Sequence, residues 1–243
     1  MRTFDRETIK QAIKPIVSLV ATAEAEHTET KLTKNTLDCF GALLDSAVQQ
    51  INLNVWKAQE KARQVQKTKQ NAIGDMHERI LATLDGVLRL PVGNVYDIRC
   101  DNLKIIAEIK NKWNTTKGNH KVQIYNDLAS SLQRLDGYTA YYVEILPKTG
   151  QRYNKPFIPS DNRKNRRVEA REDIRQIDGR SFYELLAGRA TALDELYIML
   201  PSIIAEILAD LDKSKYDQDS IKKILTGSDE YKALYNKIYG TKI

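Results

Sequence analysis

The stretch NVYDIRCDNLKIIAEIKNK, residues 94–112, decides how this chain is read. Its alternating, β-branched residues predict two short strands, about Val95–Cys100 and Lys104–Lys110, joined by a tight turn at Asp101-Asn102-Leu103. Successive strand side chains point to opposite faces, so Glu108 and Lys110 share one face while Ile105, Ala107 and Ile109 share the other. The apolar face is expected to meet the core, and the other carries a carboxylate beside an amine. Pairing then selects an aspartate. With Asn102 and Leu103 as turn residues, Asp97 lies opposite Glu108; with Asp101 and Asn102 there, it lies opposite Ile106 and diagonal to Glu108. Antiparallel neighbours have Cβ atoms about 4.5–5.5 Å apart, and diagonal ones about 7–8 Å. Both registers leave Asp97 within reach of an ion shared with Glu108, whereas Asp101 stays near the turn.

Two converging carboxylates repel, and burial raises the pKa of one of them. A divalent, oxygen-seeking cation resolves the conflict. Mg²⁺ accepts one or two carboxylates, keeps several waters and leaves room for a substrate phosphate. Such an ion activates water and offsets charge developing on a phosphodiester. Lys110 is placed to orient that water or to hold the phosphate.

Asp97, ten intervening residues, then Glu108-Ile109-Lys110 in a strand-turn-strand context resembles the PD-(D/E)XK nuclease superfamily. IIAEIKNKWNTTKGNHKVQIY (105–125) and IRQIDGRSFYELLAG (174–188) further resemble bacterial type II restriction endonucleases, in particular the group cutting GG-N-CC-type sites. The resemblance covers roughly residues 70–200. It implies that Asp97 and Glu108 bind magnesium, that the Ile109 carbonyl is a further ligand, and that Lys110 positions the attacking water. Tyr96 departs from the proline that often precedes the aspartate. Many members add an acid from the helix before the sheet, for which Glu78 is the candidate and Asp75 the second choice. An ordinary solvated helix acid explains Glu78 equally well by composition.

Upstream, the chain reads as helices. Apolar residues recur at helical spacing over Thr8–Val20, and again from Leu37 through Phe40, Leu43, Leu44 and Val48 to Ile51, with Thr33 and Asn35 as candidate caps. The charged stretch 55–69 reads as a solvated helix or connector, and IGDMHERILATLDGVL (73–88) as a further helix after a break at Gly74, with Gly86 as terminator. Downstream follow a helix ended by Gly137, a strand in TAYYVEILPK (139–148), a short strand from Ile174, and helical stretches at Leu193–Leu211, interrupted by Pro201, and Ser220–Tyr239. The expected class is α/β, a restriction-endonuclease-like mixed central sheet flanked by helices, with a helical N-terminal part (1–70) ahead of a nuclease core with a helical tail (71–243), the two forming one continuous domain.

Of 243 residues, 42% are hydrophobic and 29% charged, as in ordinary globular proteins, and no apolar run is long enough for a membrane span. The acidic, polar N-terminus does not read as a secretory signal, and two distant cysteines, Cys39 and Cys100, suit a reducing cytoplasm. The net charge of +6 is compatible with a polyanionic partner without establishing one. His27, His77 and His120 fit no zinc spacing, and P-loop, GxSxG and GxGxxG motifs are missing, so neither a nucleotide cofactor nor hydrolase chemistry of those types is expected.

Three polar clusters are candidates for meeting DNA. Asn114, Thr115, Thr116, Lys117, Asn119 and His120 follow the E-x-K strand and suit phosphate or base-edge contacts. Arg163, Lys164, Asn165, Arg166 and Arg167, after Asn162, form a loop suited to reading bases or clamping phosphate. Lys57, Lys61, Arg63, Lys67 and Lys69 read better as a charged exposed helix face. A short palindromic double-stranded site is best read by a two-fold homodimer. Two rival readings are a repair or recombination nuclease of the same superfamily and a non-catalytic DNA-binding protein.

Overall fold

The computed structural model describes residues 4–161 and 166–243; Arg163, Lys164 and Asn165 lie outside the described residues. Four helices come first: α1 (Arg6–Thr22), α2 (Glu29–Lys34), α3 (Cys39–Gln49) and α4 (Leu53–Leu81). Asp5 caps α1 by accepting from the Thr8 N–H at 2.8 Å, and Ile9, Ile13 and Ile16 bury its inner face. The expected second helix is α3, and a short helix that the sequence did not signal, α2, precedes it. Thr33 lies inside α2 and Asn35 at its C-terminal end, and Asp38 caps α3 by accepting from the Phe40 and Gly41 N–H groups. The break expected at Gly74 is not there either. α4 runs unbroken for 29 residues, so the expected division at 70/71 falls inside a helix. Gly86 sits beyond the helix end at φ 73°, in the turn leading to the sheet.

The main sheet has the order β1 (Val87–Arg89), β2 (Ile98–Cys100), β3 (Ile105–Lys112), β4 (Thr139–Leu146), β8 (Ile174–Asp178), β5 (Asn154–Pro156). Its centre, β3-β4-β8, is parallel, and the flanking β1, β2 and β5 are antiparallel. The crossover from β3 to β4 is α5 (Gly118–Leu132), as a parallel pair requires. β6 (Ser160–Asp161) and β7 (Arg166–Arg167) form a separate two-stranded ribbon.

Alternation along the strands supplies two cores. Ile98, Cys100, Ile105, Ala107, Ile109, Tyr141, Val143 and Ile145 face α1, α4, α6 (Gly179–Ala187), α7 (Ala192–Leu211) and α9 (Glu230–Tyr239). Ile106, Ala140, Tyr142 and Ile174 face α5 and Phe157, which stacks on Tyr142 at 4.5 Å between ring centroids. Pro201 does not interrupt α7, which is continuous. Ser220–Tyr239 divides into α8 (Gln218–Thr226) and α9, separated at Gly227 and Ser228. No helix among the described residues is long and apolar enough to cross a membrane.

Candidate active site at the β2–β3 edge

Cys100 pairs with Ile105, Arg99 with Ile106 and Ile98 with Ala107, so continuing the ladder sets Asp97 opposite Glu108. This is the first of the two registers allowed by the sequence. The turn is a single 3-10 turn, Asp101–Leu103, closed by Lys104 in the left-handed region at φ 51°. β2 is shorter than expected, beginning at Ile98 rather than Val95. Asp97 therefore stands at the foot of the strand, held by its backbone: its N–H donates to the Ala107 carbonyl at 2.9 Å, and its carbonyl accepts from the Leu90 N–H at 2.8 Å.

Because β2 stops there, the Asp97 side chain takes the place of a strand partner. Its Oδ2 accepts from the Ile109 N–H at 2.6 Å. A strand residue's N–H and C=O leave on the same side, so the Ile109 carbonyl also points to this edge. The carboxyls of Glu108 and Asp97 lie close enough to act on each other, and Lys110 donates to Glu108 Oε1. Burial, then repulsion by Asp97, pushes the Glu108 carboxyl up to about 7. Burial raises Asp97 too, against the opposing pull of the Ile109 N–H and Lys110. Lys110 offsets only part of this, and a cation at this edge would favour the ionised forms of both carboxyls.

A cleft of about 580 Å³ opens beside the pair, walled by α4, by the Leu90–Asn94 loop between β1 and β2, and by Asp97, Ile109, Lys110, Asn111 and Thr115. Glu108, whose side chain is 14% exposed, is not part of its wall but is joined to Asp97 and Lys110, which are. Glu78 lines the cleft from α4, near enough to Asp97 for repulsion to raise its pKa in addition to the larger effect of burial. It is also tied to Arg89 Nε at 3.1 Å, and Arg89 reaches Asp75 as well. Among the described residues no cluster of three or more His, Cys, Asp or Glu side chains is set to hold a metal. The donor set at hand is two carboxylates and one strand carbonyl, which suits a hard cation that keeps its waters.

The expected DNA-contacting residues divide. Asn114, Lys117, Asn119 and His120 are exposed at or before the start of α5, and Thr115 lines the cleft. Thr116 is buried, 8% exposed and close to Tyr142, so it is not on a DNA-facing surface. Gly118 opens α5. Arg166 and Arg167 are exposed on the β6–β7 ribbon and line a separate groove with Val122 and Tyr125, not the cleft beside Asp97.

Other groups were missed. Glu144 on β4 pairs in register with Lys110 and is 3% exposed. A carboxylate buried this deeply needs compensation, and it accepts from Lys121 Nζ at 2.9 Å, the Tyr153 hydroxyl at 2.5 Å and Gln176 Nε2 at 2.8 Å. Lys121 also donates to the Trp113 carbonyl, tying the loop after β3 to the sheet. The one signal in the sequence was a lone glutamate inside the apolar run of TAYYVEIL.

A family model described as Eco47II restriction endonuclease matches residues 2–209. The type II restriction enzyme Eco47II of Escherichia coli is 38% identical over 186 residues, covering 75% of this chain and 77% of that protein. The type II restriction enzyme Sau96I of Staphylococcus aureus is 29% identical over 174 residues, covering 70% and 67% respectively. With a matched model across most of its length and these two bacterial relatives, the chain belongs to the Eco47II restriction endonuclease family.

Proposed function

We propose that this type II restriction endonuclease uses Asp97, Glu108 and Lys110 to hydrolyse phosphodiester bonds of double-stranded DNA with Mg²⁺. The observation that carries the reading is the pair of buried carboxyls, Asp97 and Glu108, set opposite each other at the strand edge beside the cleft. Asp97, Glu108 and the Ile109 carbonyl would hold the ion, which when bound supplies Lewis acidity and a more acidic water. The Ile109 N–H fixes the aspartate's orientation. Lys110 holds Glu108 in place and offers its ammonium to water or phosphate at the cleft wall. Glu78 joins as a further ligand once Arg89 turns from it to a phosphate. Asn114, Thr115, Lys117, Asn119 and His120 meet the strand leaving the cleft, and Arg166 and Arg167 reach the duplex beyond it. The site read is of GG-N-CC type, as the resemblance to that group implies.

The working unit is a homodimer, one subunit per strand of a palindrome. Support comes from α3, which exposes Phe40 (80%), Leu43 (72%), Leu44 (67%) and Val48 (75%). That helix has no Lys or Arg and a single charge, Asp45, which accepts from Trp56 Nε1, so little charge would oppose a second copy there. A cytoplasmic setting and independence from nucleotide cofactors complete the proposal.

The test is digestion of intact plasmid with Mg²⁺, with EDTA, and with Glu108→Ala protein, followed by mapping of the fragment ends. Discrete fragments from the first reaction alone are expected. A smear or end-dependent loss would favour a repair nuclease, and tight binding without any cutting a non-catalytic DNA-binding protein.

A further inference from the structure

Glycine is the weakest helix former after proline, yet Gly74 lies within α4 well before its end at Leu81. No packing demands it: a Cβ added there would meet no atom within 4 Å. What it faces is the catalytic cleft, whose wall it forms between Gln70, Asn71 and Glu78. At 3.6 residues per turn, Arg63, Lys67, Gln70, Asn71 and Glu78 all fall within about 60° of Gly74 around the helix. From Lys61 to Gly74 the helix carries Lys61, Arg63, Lys67 and Lys69 and no carboxylate. Lys67, Gln70 and Asn71 are exposed, and Arg63 is held by Glu60 at 2.7 Å.

From the open space at Gly74 and the polar, basic line behind it, we propose that α4 is the rail along which a DNA strand enters the site. The sugar-phosphate backbone packs directly on the helix at Gly74, where any side chain would hold it off. Lys67 neutralises a phosphate one to two turns upstream, and the Gln70 and Asn71 amides hydrogen-bond the strand between them. A missing Cβ is what a close backbone approach requires, and a lysine with two amides beside it is chemistry suited to phosphate and base edges.

This inference rests on the nuclease reading, which fails separately if the parent protein does not cut plasmid DNA. Given cutting, Gly74→Ala is expected to raise the melting temperature by about 2 °C, since alanine is the better helix former. In the same variant the DNA concentration for half-maximal cleavage rises about tenfold or more, through displacement of the bound strand, with the saturated rate nearly unchanged. Lys67→Gln is expected to lower the slope of log affinity against log salt by about one, measured with a labelled duplex bearing the mapped site and Ca²⁺ in place of Mg²⁺. Lys69→Gln, on the far side of the helix, should leave that slope alone. A stabilised Gly74→Ala protein with parental cleavage would overturn the proposal. So would a destabilised one, which would give the glycine a structural reason, or equal salt slopes for the two lysine variants.

Discussion

Glu108 shows how a single residue registers its surroundings. Its carboxyl titrates near 4.5 when the chain is unfolded and is raised to about 7 in the folded protein, by burial first and by Asp97 second. A raised carboxyl contributes stability that is fully present below pH 4.5 and is lost as pH climbs through 7. The metal-free protein should therefore melt at a lower temperature at pH 8 than at pH 6, as followed by scanning calorimetry. Glu108→Gln removes the titration, and its melting temperature should exceed the parent's at pH 8 by about 2–4 °C for each kcal/mol relieved. Added Mg²⁺ should raise the parent's melting temperature at pH 8 and leave the Gln variant's almost unmoved. The same variant should cut plasmid about 10²–10³-fold more slowly. An unchanged thermal profile would remove the electrostatic basis of the site.

At the scale of elements, β2 and β3 set the site, and what the sequence revealed follows from which forces shape each piece. The placement of Asp97 was legible because strand alternation and a short turn leave few registers, and the apolar Ile105, Ala107 and Ile109 choose the buried face. Gly74 misled because glycine weakens a helix locally, whereas α4 is held by packing on either side of it through Val65, Ala72, Ile80 and Leu81. The true cap of α3, Asp38, was overlooked because Thr33 and Asn35 offer the same chemistry a few residues earlier. The Glu144 network was illegible, since Lys121, Tyr153 and Gln176 converge from three separate segments. Lys121→Met leaves Glu144 without its cation, and a loss of about 3 kcal/mol in urea unfolding is expected. Cleavage should slow as well, because the loop tied through Trp113 loosens. Parental stability would show that Tyr153 and Gln176 suffice to compensate the buried charge.

At the scale of the whole molecule, the proposed dimer concerns symmetry. Phe40, Leu43, Leu44 and Val48 are exposed on one helix, and in the proposed homodimer this face would meet a second copy, so that two subunits would bring one carboxylate pair to each strand of a palindrome. Leu44→Arg sets two like charges against each other across a two-fold contact, so sedimentation should shift from dimer to monomer at low micromolar protein. Digestion should then stop at nicked plasmid rather than linear DNA. A dimer that survives the change would move the contact to another face. The central claim, that Asp97, Glu108 and the Ile109 carbonyl share one divalent ion beside DNA, is tested most directly by anomalous diffraction from crystals of the DNA complex soaked in Mn²⁺. A Mn²⁺ peak at about 2.0–2.3 Å from oxygens of all three is the expected result. A peak elsewhere in the cleft, with Asp97 and Glu108 free of it, would contradict the account.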